Sequence, residues 1–145
     1  MKKIFALLAM LTIVFAVSAR DTYSRNVNDL PKGAQSTLAK NFKSKVSVIK
    51  IDKDFGRISE YDVVMSDGAE ISFDRNGNWK DVEVSKNSAV PKGFIPTAIA
   101  QYVNRNYKNA RIIGIDKDRN GYELELSTGL DLKFDKQGKF LRFDD

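Results

Sequence analysis

The sequence predicts an α+β protein in which a unit of one helix and four antiparallel strands occurs twice. Similar segments recur about 60 residues apart, and each helical pattern is followed by runs of alternating apolar and polar residues. Short segments that contain Gly separate these runs, as expected for antiparallel hairpins. The 145 residues include no Cys and no His, which excludes disulfides, Ser-His or Cys-His catalytic pairs and the usual zinc sites.

The N-terminal segment has the pattern of an export signal. Two lysines precede an apolar run from Ile4 to Val17, and small residues follow up to Ala19. The run is shorter than the roughly 20 apolar residues that a membrane-spanning helix needs. We therefore expect residues 1–19 to be a cleaved signal peptide, residues 20–28 to be a flexible N-terminal segment, and the mature protein to be periplasmic or secreted with no membrane span.

Three segments support a tandem duplication, with repeat 1 over residues 29–85 and repeat 2 over residues 86–145. The first copies are Leu30–Gly33, Ile51–Asp54 and Phe73–Trp79, and the second copies are Val90–Gly93, Ile115–Asp118 and Phe134–Phe140. Self-similarity at a fixed period is typical of repeated structural units. The polar linker 85–89 has no apolar anchor and marks the boundary between the units.

Each repeat begins with a helical pattern and continues with strand patterns. Ala34, Leu38 and Phe42 lie four residues apart, and a second helix is predicted over Pro96–Tyr107, where Pro can occupy the first helical position. The alternating runs predict strands at 46–52, 61–65, 69–73 and 79–84, and at 111–116, 122–126, 130–134 and 139–143. Each helix then has one face of a sheet to cover.

These segments resemble the PepSY-like repeat of exported bacterial proteins. The resemblance extends over both units and depends on the Leu/Val-Pro start, the Tyr-x-Val/Leu strand and the Phe-Asp-x-x-Gly turn. The family is similar in fold to the beta-lactamase inhibitory protein, in which tandem helix-plus-four-strand units grip a partner enzyme. The cysteines of that inhibitor are missing here and none of its enzyme-gripping residues can be matched, so the resemblance implies the fold and not inhibition of a beta-lactamase.

One segment has part of the spacing of a calcium-binding loop. Asp116, Asp118 and Asn120 supply oxygen atoms at positions 1, 3 and 5, and Gly121 follows at position 6. Position 12 is Ser127, where such loops carry a bidentate Glu. The alternative interpretation is a hairpin turn in which Asn-Gly supplies positive φ angles. The turn interpretation is favoured, and these residues are only weak metal candidates.

The sheet face away from the helices is the candidate partner-binding surface. If the last strand of each repeat is regular, Trp79 and Phe140 lie on this face, where aromatic and charged anchors suit protein recognition. A β-bulge after the preceding glycine would instead turn both rings into the core, and the sequence leaves both alternatives open. The predicted binding residues are Glu70, Trp79, Asp81, Glu83, Glu123, Glu125, Lys133, Phe140 and Arg142.

The sequence therefore favours a non-enzymatic binding module that holds an unidentified exported protein or peptide on its open sheet face, with inhibition of an exported hydrolase as one version. The alternative is a cell-envelope sensor of a small ligand or calcium. The pattern predicts no cofactor and no catalytic residue. Basic and acidic residues alternate along the chain instead of forming a basic stripe, so no nucleic-acid partner is expected. We expect a monomer.

Overall fold

The computed structural model describes residues 21–144, so the predicted signal peptide and Arg20 lie outside the described residues. Nine strands form one sheet in which every neighbouring pair is antiparallel and the spatial order equals the order along the chain. The elements are β1 (Asp21–Ser24), α1 (Lys32–Asn41), β2 (Val46–Asp54), β3 (Arg57–Met65), β4 (Glu70–Asp74), β5 (Trp79–Glu83), α2 (Thr97–Asn106), β6 (Ile112–Lys117), β7 (Gly121–Leu126), β8 (Asp131–Asp135) and β9 (Phe140–Asp144). Short 3₁₀ turns at Val27–Asp29 and Lys92–Phe94 precede the two helices.

The predicted α+β class is confirmed. In each half of the described chain, one helix is followed by four strands that form successive antiparallel pairs. The two groups of strands are joined because β5 pairs with β6 through Asp81–Asp116, Val82–Ile115 and Glu83–Gly114. The result is one continuous sheet.

The expectation of a flexible segment over residues 20–28 is wrong for its described part. Residues 21–24 form β1, in which Tyr23 pairs with Lys50 of β2. The Lys50 Nζ atom lies 3.7 Å from a carboxylate oxygen of Asp21. Without β1, the outer edge of β2 would present unpaired backbone groups, and pairing with β1 satisfies them. The prediction relied on the small number of apolar side chains in this segment, whereas β1 is held by backbone pairing with β2.

The hydrophobic core lies between the two helices and one face of the sheet. Ala34 and Leu38 of α1 and Ile99 and Val103 of α2 are buried, and they belong to one contiguous apolar cluster. The central side chains of the sheet in this cluster include Ile49, Val63, Ile71, Phe73, Val82, Ile115, Leu124, Leu132 and Phe134. Both halves therefore share a single core, which is larger than either 60-residue unit would bury by itself.

The repeated Ile-Asp-Lys-Asp motif does not occupy equivalent places in the two halves. Ile51 pairs with Tyr61, whereas Ile115 pairs with Leu124. The register partner of Tyr122, which corresponds to Tyr61, is Lys117. The motif is thus displaced by two residues along β6, and Gly114 takes the place that Val48 has in β2.

We expect truncation of either central phenylalanine to destabilise the protein strongly. Phe73 and Phe134 are both 0% exposed, and the Phe134 ring lies 5.3 Å from that of Tyr102 in α2. Replacing either by Ala leaves a cavity and should cost about 3 to 5 kcal/mol. Chemical denaturation measures this loss. The matched control is Phe55→Ala in the exposed β2–β3 turn, which should change stability by less than about 0.5 kcal/mol. A similar small effect at Phe73 or Phe134 would contradict the packing.

Candidate functional site on the open sheet face

A β-bulge decides where the two predicted aromatic anchors lie. In β5, Asp81 pairs with Ser72 but Trp79 pairs with Phe73, so Lys80 is an extra residue. Cross-strand partners share one face of a sheet, and Phe73 is in the core. The ring of Trp79 is therefore on the helix side, and its assignment to the open face is wrong.

Phe140 is displaced in the same way. Arg142 pairs with Lys133 and Phe140 with Phe134, so the extra residue is Leu141. The Phe140 ring stacks on that of Tyr102 in α2 at a centroid distance of 4.9 Å. Its assignment to the open face is also wrong, because the bulge shifts the alternation by one residue between the turn and the rest of the strand.

Trp79 joins the two halves of the core. Its ring makes a T-shaped contact with the Phe94 ring, with the two centroids 5.4 Å apart, and Phe94 lies on the segment that leads into α2. The Lys117 Nζ atom of β6 is 4.1 Å from the centroid of the indole, a cation–π contact. Burial lowers the pKa of Lys117. This half-buried tryptophan contributes to packing between the halves.

The face opposite the helices, which we call the open face, carries polar residues in a row that crosses eight strands. We call this the first row. Each member pairs with the next across neighbouring strands: Lys50, Asp62, Ser72, Asp81, Asp116, Glu123, Lys133 and Arg142. Neighbouring strands are about 4.8 Å apart, so the carboxylates form the middle of the row and the basic residues its two ends.

A second row lies beside the first, two residues away along each strand. Its members are Glu70, Glu83, Gly114, Glu125, Asp131 and Asp144, again in consecutive pairs. The two rows contain nine carboxylates and three basic side chains. The centre of the open face is therefore acidic although the whole chain has a net charge of +5.

Crowding and burial change the protonation of several of these carboxylates. Burial, together with the charges of Glu83 and Asp62, raises the pKa of Glu70 to about 7. Burial raises the pKa of Asp62 to about 6, although its hydrogen bond from the Ser72 hydroxyl at 2.7 Å opposes the shift. Burial, and then the charge of Glu125, also raises the pKa of Glu83. Glu70 and Asp62 therefore retain a proton to a pH closer to neutral than ordinary carboxylates do.

The structure brings most of the predicted site residues together. Seven of them lie on the open face: Glu70, Asp81, Glu83, Glu123, Glu125, Lys133 and Arg142. Asp116 lies there too, between Asp81 and Glu123, although the sequence singled it out only as a weak metal candidate. Gly114 was not predicted. Only the register shows that this glycine interrupts an acidic row, since its own neighbours along the chain are apolar.

The other motifs act as turns. The Asp118 carboxylate accepts hydrogen bonds from the backbone N–H groups of Asn120 and Gly121 at 2.6 and 3.1 Å, so this segment forms a turn. Gly121 has the positive φ angle that was predicted, whereas Asn120 does not. Asp74 and Asp135 cap their turns in the same manner. Within residues 21–144, no group of three or more His, Cys, Asp or Glu side chains has the arrangement to hold a metal ion.

Comparison with protein families gives a match over residues 59–142 to the model described as "Putative beta-lactamase-inhibitor-like, PepSY-like". The matched segment is more than half of the chain and includes most of β3 and all of β4–β8. The chain belongs to this PepSY-like family. The match includes β5–β8 and both acidic rows across them, so the open face is part of the family domain. No curated protein matches the chain.

Three solved structures of Bacteroides proteins share the fold of this PepSY-like protein. A putative periplasmic protein of unknown function from Bacteroides vulgatus is 40% identical, with a TM-score of 0.80 over 86% of this chain and 99% of its own. A putative calcium-regulated periplasmic protein from Bacteroides thetaiotaomicron is 35% identical, with a TM-score of 0.79 over 86% of this chain and 97% of its own. Another putative periplasmic protein from B. vulgatus is 36% identical, with a TM-score of 0.77 over 86% and 97% of the two chains.

These neighbours confirm the periplasmic or secreted location expected for the PepSY-like protein. In the described part of the chain, neither helix is long and apolar enough to cross a membrane. None of the three descriptions names an enzymatic activity.

We expect Glu70→Gln to stabilise the protein more at pH 8 than at pH 4. The pKa of Glu70 is raised from an ordinary value of 4.5 to about 7, so the folded state retains a proton that the unfolded chain has lost. Because the folded state binds more protons in this interval, the free energy of unfolding falls as the pH rises from about 4.5 to about 7. Gln cannot ionise and escapes this loss. Thermal denaturation at the two pH values measures the effect, and an equal Tm difference at both would contradict it.

Proposed function

We propose that this PepSY-like protein is a non-enzymatic binding module of the periplasm or extracellular space that holds a protein or peptide on its open face. The observation that carries the proposal is the pair of acidic rows across the middle of the sheet. A rigid sheet presents these side chains at fixed spacings, which favours recognition of a complementary surface. Inhibition of an exported hydrolase is one function that such binding would serve.

The charge of the open face defines the kind of partner. Burial of carboxylates beside one another is unfavourable, and a basic partner that pairs with them would relieve the repulsion. Lys50 at one end of the first row already pairs with Asp52 at 2.8 Å, so its charge is not available to neutralise the carboxylates in the middle of the row. We infer a basic protein or peptide segment.

Capture of the partner tests this proposal. Immobilised wild-type protein should retain the same partner repeatedly from periplasmic extract of the source organism, and salt should weaken the retention because surface charges are screened. The double variant Asp81→Lys/Glu123→Lys reverses two charges in the middle of the first row and should lose the partner. The control Asp21→Lys/Asp54→Lys reverses two charges near the β1 edge and should retain it. Equal retention by both variants, or no reproducible partner, would contradict the proposal.

A calcium sensor is the second candidate function. It is supported by the neighbour described as a putative calcium-regulated periplasmic protein. Ca²⁺ takes six to eight oxygen ligands, and the rows supply carboxylates, although the described residues do not have them arranged to hold a metal ion. Binding here would require carboxylates of adjacent strands to converge, with Asp116 at the centre of the first row. The candidate makes a direct prediction in titration calorimetry.

CaCl₂ should then release or absorb heat at millimolar concentrations or below, and Asp116→Asn should reduce the affinity by about tenfold or more. MgCl₂ is the matched control, because Mg²⁺ demands a tighter octahedral site and should bind more weakly. Absence of heat with millimolar CaCl₂ would exclude calcium regulation by this face.

A further inference from the structure

We propose that Glu83, Gly114 and Glu125 form a slot in the second row that binds the guanidinium group of one arginine from the partner. The inference rests on the proposed function and gives its chemical basis, because it names the group that the open face would recognise.

The slot is a gap where β5 and β6 join the two halves of the sheet. Gly114 pairs with Glu83 on one side and Glu125 on the other, so two carboxylates flank a position without a side chain. A Cβ atom built on Gly114 would lie 3.4 Å from the Cβ of Glu125 and 3.7 Å from its Oε2 atom. The Glu125 carboxylate thus borders the gap, and the backbone of Gly114 forms its floor.

A buried carboxylate next to the slot increases its negative charge. Glu70 is the cross-strand neighbour of Glu83 and is only 7% exposed. Among residues 21–144, the Glu70 side chain makes neither a hydrogen bond nor an ion pair. Burying one carboxylate beside another without compensation is costly, so Glu70 adds to the negative charge next to Glu83 and favours a cation bound at Glu83.

Arginine fits the slot better than the other cations. Its guanidinium is planar and carries five N–H donors, so it can lie flat on the glycine backbone and donate to carboxylates on both sides. The ammonium group of lysine is a compact, strongly hydrated point charge. A calcium ion needs six or more oxygen ligands at 2.3–2.6 Å, and the described carboxylates do not have that arrangement.

The first half of the chain shows how the slot can be closed without altering charge. Val48 occupies in β2 the place of Gly114 in β6, since Val48 pairs with Val64 as Gly114 pairs with Glu125. Valine is a favourable strand residue, and the backbone of Gly114 has no positive φ angle that would demand glycine. Gly114→Val should therefore fold while its side chain fills the gap.

The test measures binding of fluorescein-labelled hexa-arginine and hexa-lysine to the protein, expressed from its full-length gene, by fluorescence anisotropy at low salt. We expect hexa-arginine to bind more tightly than hexa-lysine. Gly114→Val and the double variant Glu83→Gln/Glu125→Gln should each weaken hexa-arginine binding by at least about tenfold. Asp21→Asn/Asp54→Asn removes the same two negative charges elsewhere and should weaken it by less than about threefold.

The outcomes distinguish failure of the slot from failure of the proposed function. Unchanged hexa-arginine binding by the double Gln variant, or equal affinity for the two peptides, would overturn the slot. If Gly114→Val is folded by circular dichroism and binds as the wild type does, the slot is also overturned. Partner capture that still depends on Asp81 and Glu123 would leave the proposed function standing. If partner capture depended on neither row of carboxylates, both the slot and the proposed function would be overturned.

Discussion

Antiparallel pairing of β5 with β6 is the interaction on which the rest of this structure depends. It joins strands β1–β5 to strands β6–β9, which would each bury little surface alone, and it makes their apolar faces one core. Phe94 strengthens the joint from the helix side, where its ring contacts both Phe42 and Trp79. On the other side, the same pairing aligns the carboxylates of the two halves into continuous rows.

The β-bulges in β5 and β9 determine which side chains lie on each face of the sheet. Each bulge inserts one residue, Lys80 or Leu141, so the aromatic residue before it faces the helices while the charged residues after it face outward. Lys80 then reaches Glu60, with its Nζ atom 2.8 Å from the carboxylate. The bulges thus keep large rings in the core and leave a charged surface at the centre of the open face.

Acidic side chains on neighbouring strands make the open face a surface with an electrostatic cost. Like charges on adjacent strands are unfavourable, and several of these carboxylates hold their protons to a higher pH than usual. The cost is tolerated because Val82, Ile115 and Leu124 pack the opposite side of the same strands. A stable core beneath an unfavourable surface is the arrangement that the proposed binding function of the open face requires.

The sequence by itself determined the α+β class, the positions of most helices and strands, and which charged residues share a face. Hydrophobic period and turn residues are local properties, so they are readable along the chain. Three features were decided only by the tertiary structure. The β1 strand depends on the free edge of β2, the inward position of Trp79 and Phe140 depends on bulges, and the gap at Gly114 depends on the register of β6 between Glu83 and Glu125. Each arises from pairing between strands, which no single segment specifies.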